Sequence, residues 1–141
     1  MRMQVALEDT FLEIAQMIQD QQVVLLIDRG LLDGSAYVTT EIWESLMDDM
    51  GTNTVRLRDD RYDGVLHLVT AADGAEQFYA SLSNEARYES SEEAVEKDKN
   101  LRRAYMSHAK WTMIGNNFKD FNSKINAAKF EVQKFLDRKV G

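Results

Sequence analysis

Asp28 and Arg29 end the apolar run VVLLI at residues 23–27, and Gly30 follows them. A carboxylate can hold Mg²⁺ directly or through water, and an arginine can grip two phosphate oxygens at once. Side by side after a strand, the pair suits a metal-complexed phosphate. Many purely structural strands also end on an acid, so the pattern gains weight only from its context. Two further turns raise the same question: Ala71-Ala72-Asp73-Gly74 after GVLHLVT, and Gly115-Asn116-Asn117 at the end of WTMIG. In an open parallel sheet, ligands bind beyond the carboxyl ends of the strands, which is where all three turns would lie.

The elements that must carry these turns alternate. Leu7, Phe11, Ile14, Ala15 and Ile18 share one face of a helix over roughly residues 4–20. Residues 23–27 are uniformly apolar and rich in β-branched side chains, as a strand buried on both faces requires. Thr39, Thr40 and Glu41 open a helix that Gly51 stops, with Ile42, Trp43, Leu46, Met47 and Met50 as its apolar stripe. Strands are expected at 64–70 and 111–115. The polar stretch SSEEAVEKDKNLRRAYMSH between them reads as a helix, and Phe121, Ile125, Ala128, Val132, Phe135 and Leu136 mark a closing one. Strands separated by helices predict an α/β fold with three parallel strands.

A chain of 141 residues, 44% hydrophobic, can bury one core, and without cysteine it has neither disulfides nor a thiolate metal site. No apolar run approaches the roughly 20 residues that cross a bilayer, and no signal-peptide pattern opens the chain, so a cytoplasmic protein without a transmembrane segment is expected. A net charge of −7 argues against nucleic acid as a partner. The charge is unevenly spread: residues 1–96 hold 6 Lys+Arg against 20 Asp+Glu, and residues 97–141 hold 11 against 4. A basic last third either complements the acidic part within one fold or offers a face to phosphate or a phospholipid head group. His67 and His108 read as hydrogen-bonded structural histidines. Asp59, Asp60 and Asp63 fit no calcium loop and read as a solvated turn neutralised by Arg56, Arg58 and Arg61. No nucleophile system is present.

The stretches LLIDRGLLDGSAYVTTEIWE, VRLRDDRYDGVLHLVTAADGAEQFY and ARYESSEEAVEKD resemble, in order and spacing, the nucleotide-binding domain of the TRPL translocation defect protein family. That family is a branch of the P-loop NTPases similar to ribosylnicotinamide kinase domains. The resemblance implies a P-loop NTPase-like three-layer sandwich, a GTP- or ATP-binding regulatory module acting with Mg²⁺, phosphoinositide binding, and a protein partner in membrane-protein trafficking. It further implies that Asp28 acts on Mg²⁺, that Arg29 and a lid arginine, Arg87, contact phosphate, and that Asn116 and Asn117 approach the base. The alternative is a fragment of a small-molecule kinase of ribosylnicotinamide or nucleoside type.

One departure stands out. A P-loop reads G-x-x-x-x-G-K-[ST], and none of the glycines at 30, 34, 51, 64, 74, 115 and 141 precedes a Lys-Ser or Lys-Thr pair. The resemblance begins at the helix before the third strand. Residues 1–141 are therefore expected to be the C-terminal portion of one such domain, a truncated form with weakened nucleotide binding. In the family's strand order 2-3-1-4-5, the first strand separates the third and fourth. Without it the flanking strands must re-pair, or a partner must fill the slot, or the chain is marginal, since each buried unsatisfied backbone group costs about 1–3 kcal/mol.

Overall fold

The computed structural model describes residues 1–79 and 90–139. Helix α1, Arg2–Met17, follows the expected periodicity. Helix α2, Thr40–Met50, begins at the Thr39 hydroxyl, which accepts the Ile42 N–H, and stops where Gly51 turns left-handed (φ 66°). The glycine meets that geometry without the Cβ clash other residues would suffer. A short strand β1, Val65–Leu68, occupies the middle of the second strand-like run. Beyond it come the single-turn α4, Glu76–Tyr79, and α5, Ser91–Tyr105. A reciprocal capping box fixes the start of α5: the Ser90 hydroxyl accepts the Glu93 N–H at 3.2 Å, and the Glu93 carboxylate accepts the Ser90 N–H at 2.8 Å. Strand β2, Trp111–Ile114, and the closing helix α6, Phe121–Lys139, complete the order. β1 and β2 pair in parallel, with Val65 opposite Trp111 and Leu68 opposite Ile114.

The core gathers around a segment that periodicity does not reveal. Residues Leu31–Tyr37 form a 3-10 helix whose Leu31 and Leu32 are 1% and 0% exposed. They pack with Trp43, Met47, Leu57 and Tyr105. Leu57 lies on α3, Thr54–Asp59, a helix too short to show a stripe; Asn53 caps it by accepting the Arg56 N–H at 3.0 Å. The Trp43 indole N–H donates to Thr54 Oγ1 at 2.8 Å, joining α2 to α3. The acidic turn behaves as a solvated one: Arg58 pairs with Asp59 at 2.7 Å and Arg56 with Asp60 at 3.8 Å. Arg61 instead reaches back to Glu8 and Asp9 of α1 at 2.6 and 2.7 Å.

Two expectations need correction. Residues 23–27 form neither strand nor helix, so the sheet among the described residues has two strands rather than three. These residues make no backbone–backbone hydrogen bond to any described residue, and Val24, Leu25, Leu26 and Ile27 are not buried on either face but 44%, 38%, 80% and 42% exposed. Residues 23–29 and β1 both line a cleft of about 1500 Å³. The second correction concerns the apolar face of α1. No residue of α1 is buried, and Leu7, Phe11 and Ile14 remain about half exposed. Periodicity specifies which residues share a face; whether another element covers it is decided elsewhere in the fold.

Candidate functional site

The Asp28–Arg29 turn is held from below by two tyrosines. Tyr62 Oη accepts the Leu31 N–H at 2.8 Å, and Tyr105 Oη accepts the Leu32 N–H at 3.1 Å, so both phenols occupy donors that the 3-10 helix leaves open at its start. Burial raises both phenols above their usual range, Tyr62 to about 12. Gly30 is required here by space: a Cβ at that position would run into the Tyr105 hydroxyl. Arg29 takes a left-handed conformation, φ 67°, the sole non-glycine residue to do so among the described residues. Such a residue gives up about 1–2 kcal/mol, a cost that gathers at functional turns. The Gln4 amide secures the bend by donating to the Arg29 carbonyl at 2.7 Å. The guanidinium stays 64% exposed and lies 3.6 Å from the Asp33 carboxylate. Asp28 is exposed, lines the cleft, and makes no hydrogen bond or ion pair with any described residue.

Asp33 carries the main electrostatic tension of this turn. Burial raises its pKa, while the Tyr105 hydroxyl and the Arg29 guanidinium pull it back. A carboxyl with a raised folded pKa is better protonated in the native state than in the unfolded chain, so its contribution to stability falls as pH rises from the ordinary value of 3.8 through the folded one, then levels off. Asp33→Asn should therefore gain stability relative to the parent across that window and keep the gain at neutral pH. Thermal melts of both proteins from pH 3 to 7 check this; a constant difference across the range would contradict it.

At the carboxyl ends of β1 and β2, a second cluster forms around Asp98 of α5, which is 6% exposed. Its Oδ1 accepts the Thr70 N–H at 3.0 Å, and its Oδ2 lies 3.2 Å from His67 Nε2 and accepts from Arg102 at 3.1 Å. Arg102 also stands 3.9 Å from Asp73, tying the basic part of the chain to the acidic part. Asn116 joins the two turns: its Nδ2 donates to the Thr70 and Asp73 carbonyls at 2.7 Å each, and its Oδ1 accepts from Lys124 at 2.6 Å. The Lys124 ammonium, on α6, further donates to the Val69 carbonyl at 2.7 Å. Burial lowers its pKa, partly offset by the charge of Asp98. His108 is a structural histidine, with Nδ1 accepting the Lys110 N–H and Nε2 against the Tyr62 carbonyl at 2.9 Å.

The structure thus places Asp28 and Arg29 together on one wall of the cleft, with Thr70 and Asp98 also lining it. Asn116 lies behind the second turn with its amide committed to the main chain, and Asn117 beside it is exposed. Arg87 lies outside the described residues. Sequence reasoning missed Asp98 and Lys124, although one signal was available: Asp98 shares a helical face with Ala94 and Tyr105, an acid on a buried stripe. Among the described residues no group of three His, Cys, Asp or Glu side chains could hold a metal alone. Asp28 fits the mode in which Mg²⁺ takes one carboxylate and completes its shell with water and phosphate oxygens.

A parallel strand pair with its ligand-type turns at the carboxyl ends, and crossover helices between the strands, is compatible with a P-loop NTPase-like α/β domain. The chain belongs to the AAA domain family, whose model matches residues 1–118. No curated protein and no solved structure matches it. Among the described residues no helix is long and apolar enough to cross a membrane.

Proposed function

We propose that this chain contributes the acid- and arginine-bearing side of a nucleotide site in a regulatory module. Mg²⁺-complexed GTP or ATP is the ligand. Asp28 supplies one carboxylate oxygen to the hydrated metal, and Arg29 grips the phosphates. Asn116 keeps the strand-end turns in place, and Asn117 is free to face the base. The observation that carries this reading is the unengaged Asp28 beside an arginine held in a left-handed turn, at the end of a cleft whose walls bear more acids than bases. Such walls repel a bare polyphosphate, so the metal must accompany it. The resemblance to the TRPL translocation defect proteins extends the reading to membrane-protein trafficking. Phosphoinositide head groups would be met by the basic last third of the chain, and Arg87 would close over the phosphates.

Calorimetric titration of GTP and ATP, with Mg²⁺ or with chelator, tests the site. Binding should require Mg²⁺, vanish in Asp28→Ala, and weaken in Arg29→Ala. It should also be at least about a hundredfold weaker than in a chain bearing G-x-x-x-x-G-K-[ST], because several charge-assisted phosphate bonds of roughly 1.5–3 kcal/mol each are lacking. Affinity unchanged by chelator and by both substitutions would place the site elsewhere.

A further inference from the structure

Resting on the nucleotide reading above, we propose that Lys124 is a positioning residue for the nucleobase: it anchors Asn116, and so fixes the turn that presents the Asn117 amide to a base carrying a hydrogen-bond donor beside an acceptor.

Hydrogen bonding divides the labour between the two asparagines. The Asn116 Nδ2 donates to the Thr70 and Asp73 carbonyls at 2.7 Å each, and its Oδ1 accepts from the Lys124 ammonium at 2.6 Å. Both of its donors are committed, so Asn116 has none left for a ligand. Asn117 is exposed, and its side-chain amide makes no hydrogen bond to any described residue. It lies close over the turn: a Cβ on Gly115 would sit 3.4 Å from its Oδ1. An amide offers N–H and C=O side by side, the complement of a purine edge with a donor beside an acceptor.

Stability alone does not call for a lysine at position 124. The residue stands in the first turn of α6, whose start is fixed by Asp120 Oδ1 accepting the Ser123 N–H at 2.7 Å, and the positive end of a helix disfavours a cation. It is only 8% exposed, so the ammonium also gives up hydration. Among the described residues it has two acceptors for its three N–H groups: Asn116 Oδ1 and the Val69 carbonyl, the latter at 2.7 Å. A methionine would fill similar space without either penalty. What the ammonium adds is a tie between two turns. Through Asn116 it joins residues 115–117 to residues 69–73, at the carboxyl ends of the paired strands. A turn already held in its binding conformation loses less freedom when the ligand arrives.

Inorganic triphosphate with Mg²⁺ carries the phosphates of GTP and ATP without sugar or base, so the ratio of nucleotide affinity to triphosphate affinity reports the nucleoside end of the site. Calorimetry on the full chain should give a ratio of about ten or more for the parent and a fall towards one in Lys124→Met. Lys124→Gln, uncharged and one atom shorter but still bearing N–H groups, should fall between them, and it decides the matter if the methionine variant does not fold. Met47→Ala hollows the core around Trp43 and Leu57, and should leave the ratio unchanged even as stability drops. An unchanged ratio in the Lys124 variants, or an equal fall in Met47→Ala, overturns the proposal and leaves Lys124 a purely structural residue. A parent ratio near one also overturns it, while the phosphate side of the site stands. Binding of neither ligand to the parent would overturn the nucleotide reading and this role together.

Discussion

Replacing Asp98 by alanine should cost about 3–5 kcal/mol, enough to remove most of the chain's stability if that lies near the low end of the usual 5–15 kcal/mol. The size of the effect follows from what is left behind. Asp98 is buried and accepts the Thr70 N–H and the Arg102 guanidinium while contacting His67 Nε2. Removing it strands a half-buried arginine, whose Nε is already buried without a partner, and orphans a main-chain donor at the end of β1. Asp98→Asn keeps an acceptor for Thr70 and should lose clearly less. Urea titration of the three proteins checks the order, parent above Asn above Ala. Equal loss in both variants would mean that the charge, rather than the Thr70 hydrogen bond, holds the turn; no loss in either would contradict the whole cluster.

Gly30→Ala should cost about 1–3 kcal/mol by overpacking, and the Tyr105 hydroxyl should be the reason. A new Cβ meets that oxygen, which is itself fixed by the Leu32 N–H and by its interaction with Asp33. Tyr105→Phe alone leaves the Leu32 donor without its partner and should destabilise by about 1–3 kcal/mol. Combined, the two substitutions should lose less than the sum of their separate costs, because the phenylalanine removes the atom that the alanine strikes. Strict additivity in a double-mutant cycle would show that Gly30 is needed for another reason.

Much of the element order is legible in the sequence because each element carries local signals. The Thr39 cap and Gly51 bracket α2, the polar stretch that reads as a helix contains α5, and the two strand cores fall within their apolar runs. The failures at residues 23–27 and at α1 share one physical cause. A run such as 23–27 can be strand-like in composition, but its pairing depends on a neighbour that sequence pattern does not locate, and in this fold β1 stands across a cleft from it. The same holds for the apolar stripe of α1, whose exposure is set by what packs on it. The 3-10 helix and α3 are too short to show periodicity, yet Leu31, Leu32 and Leu57 on them build the core. At the site, Asp28 and Arg29 are visible as a dipeptide after an apolar run. The left-handed turn that presents Arg29 and the tyrosines beneath it arise from contacts between residues 31 and 73 positions apart.

The proposed site would place a metal–nucleotide complex at Asp28 and Arg29, and Mn²⁺ in place of Mg²⁺ would report that position directly. In an NMR spectrum of the chain with GTP or ATP, the paramagnetic ion should broaden the amides of Asp28, Arg29 and Gly30 most, with those of Thr70 to Gly74 next, and Asp28→Ala should abolish the broadening. Broadening centred on any other element, or persisting undiminished in Asp28→Ala, would contradict the account.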